Sequence, residues 1–469
     1  MIPTTKDAYL LLHEGSIALS QVEHAGIRID TEYLDSAISG LDEEIKNLQN
    51  KMRDDKVYGI WKQRFGAASK LGSREQLGVI LYDHLGYKSK NQTASGRPKT
   101  DEEALSKIKH PFVDSFLKVE KLKKARTTYL EGIRREVVDG FLHPNFNLHT
   151  VETFRSSSSN PNFQNMPIRD ESVGKLIRTA FIPRPNHRLV EIDYSGIEVR
   201  IAACYNHDPV LIEYINNPVK DMHRDMAAQI YLLKPNEVSK QVRYAAKNQF
   251  VFPQFYGSYY IDCAKALWEM IDKLRLKGPE DVPLKDHLKK HGITTRGKCI
   301  SSQDPADGTF ERHVKDVEQD FWGRRFKVYS KWKERWYTDY KRTTSFDSLT
   351  GFHFSGDYKR NEVINYPVQG SAFHCLLWSL IRLWKWLDRN GMKCKIVGQI
   401  HDSLLLDCPE DELQVVLSKA TEIMTKHLPK KWTWIRVPLE VEVEVASTNW
   451  FEKKPWSEKN GVWSENQKA

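Results

Sequence analysis

Two aspartates in this sequence stand where a cation could be held. Asp193 closes the short apolar run LVEI at 189–192, just before Ser195 and Gly196. A strand end opens to solvent, so a carboxylate there is placed to hold a divalent metal. The same residues also suit a helix start, where Asp and Ser are common. Asp402 lies at the tip of a hairpin pattern, KIVGQIHDSLLL at 395–406. Turn chemistry alone explains one acid there. The combination says more: two strands each place an acid at an end, and both can share one sheet. Two-metal phosphoryl transfer requires such a pair.

Arg243 and Lys247 are four residues apart on a helical pattern, hence on one face. Two cations on one stripe repel unless an anion lies between them, and a triphosphate is a natural candidate. An exposed basic face explains the same spacing. Phe250, Phe252, Phe255 and Tyr256 follow, ending at Gly257. Such aromatics form either a base-stacking wall or plain core. Pro253 removes one backbone hydrogen bond and should kink this helix. The aromatic stripe from Trp322 to Tyr340 reads as helix core. Lys118, Lys121, Lys123, Lys124 and Arg126 form either a solvated face or a phosphate-tracking one. After Ser156–Ser159, the amides of Asn160, Asn162, Gln164 and Asn165 are dense for a linker and can donate to phosphate, sugar and base edges.

The elements that must position these residues are mixed. Helical patterns cover Thr4–Ala25, Leu34–Met52, 101–138 with a break at Pro111, 221–260 and 318–342. A polar linker is expected over 91–100 and loop over 151–170. Strand patterns occupy 188–194 and 393–408, and an alternation of Val with Glu440, Glu442 and Glu444 marks a half-buried strand near the end. Residues 276–310 read as an inserted surface loop. The 469 residues suggest about three domains or one multi-lobed enzyme. Hydrophobic residues at 40% and charged ones at 28% exclude a disordered chain. No apolar run is long enough for a membrane span, and no signal-peptide layout opens the chain. The six cysteines contain no CxxC pair, which argues against a zinc ribbon and suits a reducing compartment. A net charge of +9 hints only weakly at a polyanionic partner.

Taken together, five segments resemble the DNA polymerase I type, family A. DYSGIEVR at 193–200 is similar to the first palm motif of that family, DYSQIELR. Arg243–Gly257 resembles its fingers motif, RxxxKxxxxxxxYG. GQIHDS at 398–403 resembles its second palm motif, which contains QVHDE. RSSSSNPNFQNMP at 155–167 and INYPVQGSA at 364–372 resemble two further segments, in the order of the family. The likeness runs over roughly residues 1 to 452 and is poor at 265–315.

The resemblance implies an α+β right-hand fold, with an antiparallel palm sheet and helical fingers and thumb. Residues 1–150 would form a lead-in palm segment and the thumb, 151–205 palm, 206–345 fingers with an insertion near 265–315, and 346–469 palm again. It implies primer extension by dNTPs on a DNA template, with Asp193, Asp402 and the Tyr194 carbonyl holding two Mg²⁺ ions and Mn²⁺ as a substitute. Arg243, Lys247 and His223 would hold the triphosphate, Glu198 would crowd the sugar 2′ position, and Tyr256 or Phe255 would take the place of the fingers tyrosine. Arg155, Asn160, Gln164, Asn165, Gln369 and His401 would touch primer or template, and Lys123 and Lys124 the duplex backbone.

Departures are expected to matter. Ser403 stands in place of an auxiliary glutamate, Gly196 in place of glutamine and Ser156 in place of leucine. Lys247 to Tyr256 spans nine residues instead of eight, so either a one-residue bulge absorbs the extra position or Phe255 replaces the tyrosine. Val251 falls at the position that governs dideoxynucleotide acceptance. No exonuclease domain is expected in this chain. A cytoplasmic monomer is expected, of a bacterial or phage-infected cell, with no membrane association and its replisome partners undefined. A single-subunit RNA polymerase and a catalytically silent DNA-binding protein are the competing readings.

Overall fold

A computed structural model describes residues 3–466 other than 90, 91, 94, 95 and 169. Its centre is a six-stranded antiparallel sheet. The strands are β1 (His187–Tyr194), β2 (Lys395–Ile400), β3 (Ser403–Pro409), β4 (Val441–Ala446), β5 (Lys454–Lys459) and β6 (Val462–Glu465). Their spatial order is β6-β5-β4-β1-β3-β2. β1 is central because Leu189, Val190 and Ile192 are all buried, as suits a strand covered on both faces. β3 is a continuous buried run for the same reason. The register is decisive for the site: Asp193 lies opposite Ser403 on one side and Glu442 on the other. Residues directly opposite in an antiparallel pair share a face, so these three side chains emerge together.

Helices carry the rest. α1 (Thr5–Ala25) begins at a capping box, in which Thr4 and Asp7 satisfy each other's backbone N–H groups. It packs on α10, defined below, where a Cβ at Gly15 would stand 2.9 Å from Leu377. α2 (Thr31–Arg53) and α3 (Pro111–Lys124) form the stem of the first lobe. Pro111 sits in the first turn of α3, where a missing N–H costs no hydrogen bond. The helical pattern expected through Val138 ends earlier, because Val137 and Val138 pair as a short strand with Phe141 and Leu142. α4 (Ile197–Asn206), α5 (Met222–Tyr231), α6 (Lys240–Ala246), α7 (Tyr260–Lys273), α8 (Phe310–Asp320) and α9 (Lys327–Thr343) build the second lobe. α10 (Arg360–Arg389) runs 30 residues behind the sheet.

Two apolar cores result. One is continuous from the sheet through α10 into the second lobe. The other lies within residues 45–119, around Trp61, Leu77, Phe112 and Phe116. The first lobe therefore has a tip with packing of its own, while the second is fused to the sheet. The stripe in α9 is core, with Phe326, Tyr329 and Trp332 buried. The segment expected as an inserted loop is partly ordered: it holds a short helix, Leu284–Lys290, and a loop tied at its neck by Thr294 N–H to Gly308 O at 3.0 Å. The linker expected over 91–100 lies partly outside the described residues. No helix among the described residues is long and apolar enough to cross a membrane.

Candidate active site

The sheet brings the two aspartates together. Tyr194 N–H donates to the Asp402 carbonyl at 3.1 Å, which ties the end of β1 to the β2–β3 turn. The Tyr194 ring is buried, and its hydroxyl contacts Ser379 Oγ at 2.9 Å and the Met424 carbonyl at 3.0 Å, so only its backbone faces outward. Limited hydration raises Asp193 to about 7, with Asp402, Glu191 and Glu442 adding repulsion. Asp402 rises to about 6, mainly through burial, with Arg155 opposing the shift and Glu198 adding to it. Neighbouring carboxylates that resist ionisation together are the charge pattern a divalent cation relieves, and an all-oxygen donor set suits a hard ion. Among the described residues no three His, Cys, Asp or Glu side chains gather as a metal cluster. The fit to magnesium therefore rests on the two aspartates, with a backbone or substrate oxygen completing the shell.

Local sequence explains the geometry. Gly196, ahead of α4, has φ +59°, a conformation that costs a non-glycine residue about 1 kcal/mol. Glycine in place of the family glutamine thus relaxes this turn. Arg200 then clamps it, donating from Nε to the Ser195 carbonyl at 2.8 Å and pairing with Glu440 at 2.5 Å. Ser403 is buried and its hydroxyl donates to the Ile400 carbonyl at 3.0 Å, closing the turn instead of supplying a carboxylate. Arg155 reaches Glu198 at 3.3 Å and Asp402 at 3.4 Å.

The facing wall contains the extra residue. α6 passes into a wider turn at Lys247–Val251, where Phe252 N–H reaches back five residues to the Lys247 carbonyl, and then resumes as Phe252–Phe255. A π turn inserts one residue without ending the helix. It also receives Pro253, whose ring an unbroken α-helix would reject. This geometry separates the two alternatives left open for the fingers tyrosine and moves a second position. Tyr256, not Phe255, faces the cleft: its hydroxyl donates to Glu198, whereas the buried Phe255 ring packs on Phe321 and Tyr329 at 5.7 and 5.6 Å. Likewise Val251 is fully buried, and Phe252 takes the outward position. The Phe252 ring lies 5.6 Å from His223 and 5.3 Å from Lys247 Nζ.

Between the walls lies a cleft of about 600 Å³, lined in part by Ser195, Gly196, His223, Arg243, Lys247 and Phe252. Asp221 caps α5 and accepts from Arg243 Nε at 2.6 Å. His223 is lowered to about 4 by burial and then by Lys247 and Arg243, so it is neutral at pH 7. Its buried Nδ1 has no hydrogen-bond partner.

The remaining candidates divide. Asn160 and Asn165 are exposed, His401 is exposed beside Asp402 at the hairpin tip, and Gln369 is half-buried beside Glu198 and Tyr256. Gln164 is buried, and its amide donates to Ser156 Oγ at 2.8 Å and Gln399 Oε1 at 2.6 Å. Lys123 pairs with Glu120 at 3.5 Å, and Lys124 is exposed on α3. The sequence reading gave no role to two residues inside its own motifs: Asn365, whose side chain donates to the Tyr256 carbonyl at 2.9 Å, and Gln399, buried beneath the hairpin tip. A side-chain amide inside a strand or helix core was the available signal.

The family model for DNA polymerase family A matches residues 32–272 and 324–452. The chain belongs to DNA polymerase family A. The gap between the matched stretches overlaps the segment read as an insertion. DNA polymerase I of Caldicellulosiruptor bescii is 28% identical over 440 residues, covering 93% of this chain and 46% of that protein. The DNA polymerase of Bacillus phage SP01 is 26% identical over 470 residues, covering 87% and 46%. The thermostable DNA polymerase I of Thermus thermophilus is 28% identical over 458 residues, covering 94% and 47%. The chain thus spans about half the length of these relatives. Among solved structures, the POL domain of Pol1 from M. smegmatis, in complex with DNA primer-template and dNTP, superposes with a TM-score of 0.72 at 24% identity. The match covers 93% of this chain and 70% of that one. That likeness shows the right-hand fold, an antiparallel palm sheet carrying helical fingers and thumb.

Proposed function

We propose that this chain is a DNA-directed DNA polymerase that extends a primer 3′ end with dNTPs on a DNA template. The carrying observation is the cleft that sets Arg243, Lys247 and a neutral His223 against the strand end bearing Asp193. Lys247 and Arg243 hold the β- and γ-phosphates, and neutral His223, in the tautomer that carries its proton on Nδ1, donates one further hydrogen bond to a phosphate oxygen. Asp193, Asp402 and the Tyr194 carbonyl hold two Mg²⁺ ions, which when bound supply Lewis-acid activation of the primer hydroxyl and of the leaving pyrophosphate. Tyr256 and Glu198 wall the sugar, and Glu198 crowds a ribose 2′-hydroxyl. Arg155 places its guanidinium between Glu198 and Asp402, where it aligns the primer terminus. Asn160, Asn165, Gln369 and His401 contact template or primer, and Lys124 with Lys123 follows the duplex backbone.

Primer extension with Mg²⁺ tests this reading. Wild type should add dNTPs and exclude rNTPs, and Asp402→Ala should lose extension while still binding primer-template. Full activity in Asp402→Ala would defeat the metal assignment. Preference for rNTPs would indicate an RNA polymerase instead.

A further inference from the structure

Asp402 sits on a two-residue turn whose conformation is unfavourable by itself. His401 has φ +50°, in the left-handed region that a non-glycine residue adopts at a cost of about 1 kcal/mol or more. Something must hold the tip. Gln399, on β2 just before the turn, is 1% exposed, and its Nε2 donates to the His401 carbonyl at 2.8 Å. The other end of the same amide is fixed from outside the hairpin. Ser156 Oγ donates to Gln399 Oε1 at 2.7 Å, and Gln164 Nε2 donates to the same oxygen at 2.6 Å. Two donors on the oxygen leave the amide one orientation, with its nitrogen towards the turn. The segment that supplies them is seated firmly: Phe163 lies against Gly398, where a Cβ would come within 2.6 Å of its ring. Its ring also stacks on Trp450 at 5.4 Å.

We infer that Ser156, Gln164 and Gln399 form a positioning lock that presets the His401–Asp402 tip for cation binding. The inference rests on the reading of Asp402 as a metal-holding residue. Arg155 and Ser156 are neighbours, so one segment acts on the tip twice: on the Asp402 carboxylate by Arg155, and on the His401 carbonyl through the Gln399 amide. Serine at 156 is this chain's departure from leucine, and leucine could not donate. Together with Ser403, which closes the same turn, it converts two apolar or acidic family positions into hydrogen bonds that fix the hairpin. Displacement of a metal-bearing carboxylate by a fraction of an ångström is enough to slow chemistry without weakening substrate binding.

The test uses the full chain with Ser156→Ala, Ser156→Thr and Gln399→Leu. Primer extension gives kcat and the dNTP KM, fluorescence anisotropy without divalent metal gives DNA affinity, and electron paramagnetic resonance gives Mn²⁺ affinity. Ser156→Ala should lower kcat by about 3- to 10-fold and weaken Mn²⁺ by a similar factor, with KM and DNA affinity within about twofold of wild type. Ser156→Thr should restore both. Gln399→Leu should cost about 10²-fold in kcat. If it does not fold, the alanine and threonine pair decides alone. Unchanged kcat and Mn²⁺ affinity in Ser156→Ala would overturn the lock, as would a DNA-affinity loss equal to the kcat loss. If wild type extends no primer yet Ser156→Ala still weakens Mn²⁺, the polymerase reading falls and the lock stands. If wild type extends primers and the variants behave like it, only the lock falls.

Discussion

The two walls of the cleft are built on opposite principles. On the palm side the polar groups around the hairpin tip are satisfied within the protein: Gln399, Gln164, Ser156 and Ser403 all have partners under 3.1 Å. On the fingers side, His223 Nδ1 is buried without a partner. Lys247 lies over the face of Phe252 at 5.3 Å, and among the described residues it forms no ion pair. A buried polar group without a partner costs on the order of 1–3 kcal/mol, which a ligand can return on binding. The palm wall is therefore preorganised and the fingers wall is waiting for an anion. Rigid placement matters where bonds change, and unspent hydrogen-bonding capacity matters where the substrate must be gripped.

The contrast predicts different failures. The largest is on the palm: Asp193→Ala should reduce kcat by about 10³-fold or more in primer extension, with dNTP affinity little changed. On the fingers, Lys247→Ala should lower kcat/KM by about 10²-fold, chiefly through KM. Arg243→Ala should cost less, about tenfold, because its guanidinium is already shared with Asp221. Equal losses in kcat and KM on both walls would erase the distinction.

Acidity sharpens the palm side. Cation binding requires both aspartates ionised, and they sit at about 7 and about 6. Protons therefore compete with metal as pH falls through this window. Between pH 8 and pH 6 the Mg²⁺ concentration for half-maximal extension should rise by about tenfold or more. A requirement that stays flat over that range would mean that the aspartates titrate elsewhere.

Much of the palm was legible in the sequence because its motifs obey local rules. Alternation marked β4, a turn-forming His-Asp-Ser marked the hairpin, and an acid at a strand end marked Asp193. That the two acid-bearing strands could share one sheet was read from their pattern, and the register shows that they do. The fingers were less legible. A nine-residue spacing is compatible with a bulge or with a substitute aromatic, and only backbone geometry decides between them. Pro253 was the local sign, since a proline in a helix interior removes one backbone hydrogen bond, and here it falls in the first turn of the resumed helix. The burial of Gln164 was hidden for a different reason. An amide in a serine- and asparagine-rich segment looks available to a ligand, and the sequence does not reveal that Gln399, 235 positions away, consumes it.

The π turn gives a narrower test of the fingers wall. Phe252→Tyr adds a hydroxyl beside the sugar and should shift the ratio of dideoxy- to deoxynucleotide incorporation by about tenfold. Val251→Tyr should instead destabilise the fold through overpacking, seen as a lower Tm. A selectivity change at 251 with none at 252 would place the register back on an uninterrupted helix.

The smallest effect concerns stability. Asp193 has a folded value of about 7 against an ordinary 3.8, so the fold favours its neutral form. The stability linked to this group is fully present below about 4 and is lost as pH rises through 7. Asp193→Asn keeps the shape and stays neutral. Because Asp193 reaches solvent at the cleft mouth, screening keeps the gain small. Without divalent metal, its Tm should exceed that of wild type by on the order of 1–2 °C at pH 8, and by about a third of that at pH 5. Added Mg²⁺ should close the gap at pH 8, because only the wild-type carboxylate gains a bound cation. Differential scanning calorimetry at the two pH values checks the sign. A gap that is the same at pH 5 and pH 8 would mean that the carboxylate is not strained in the free protein. The palm wall would then be preorganised in its hydrogen bonds but not in its charge.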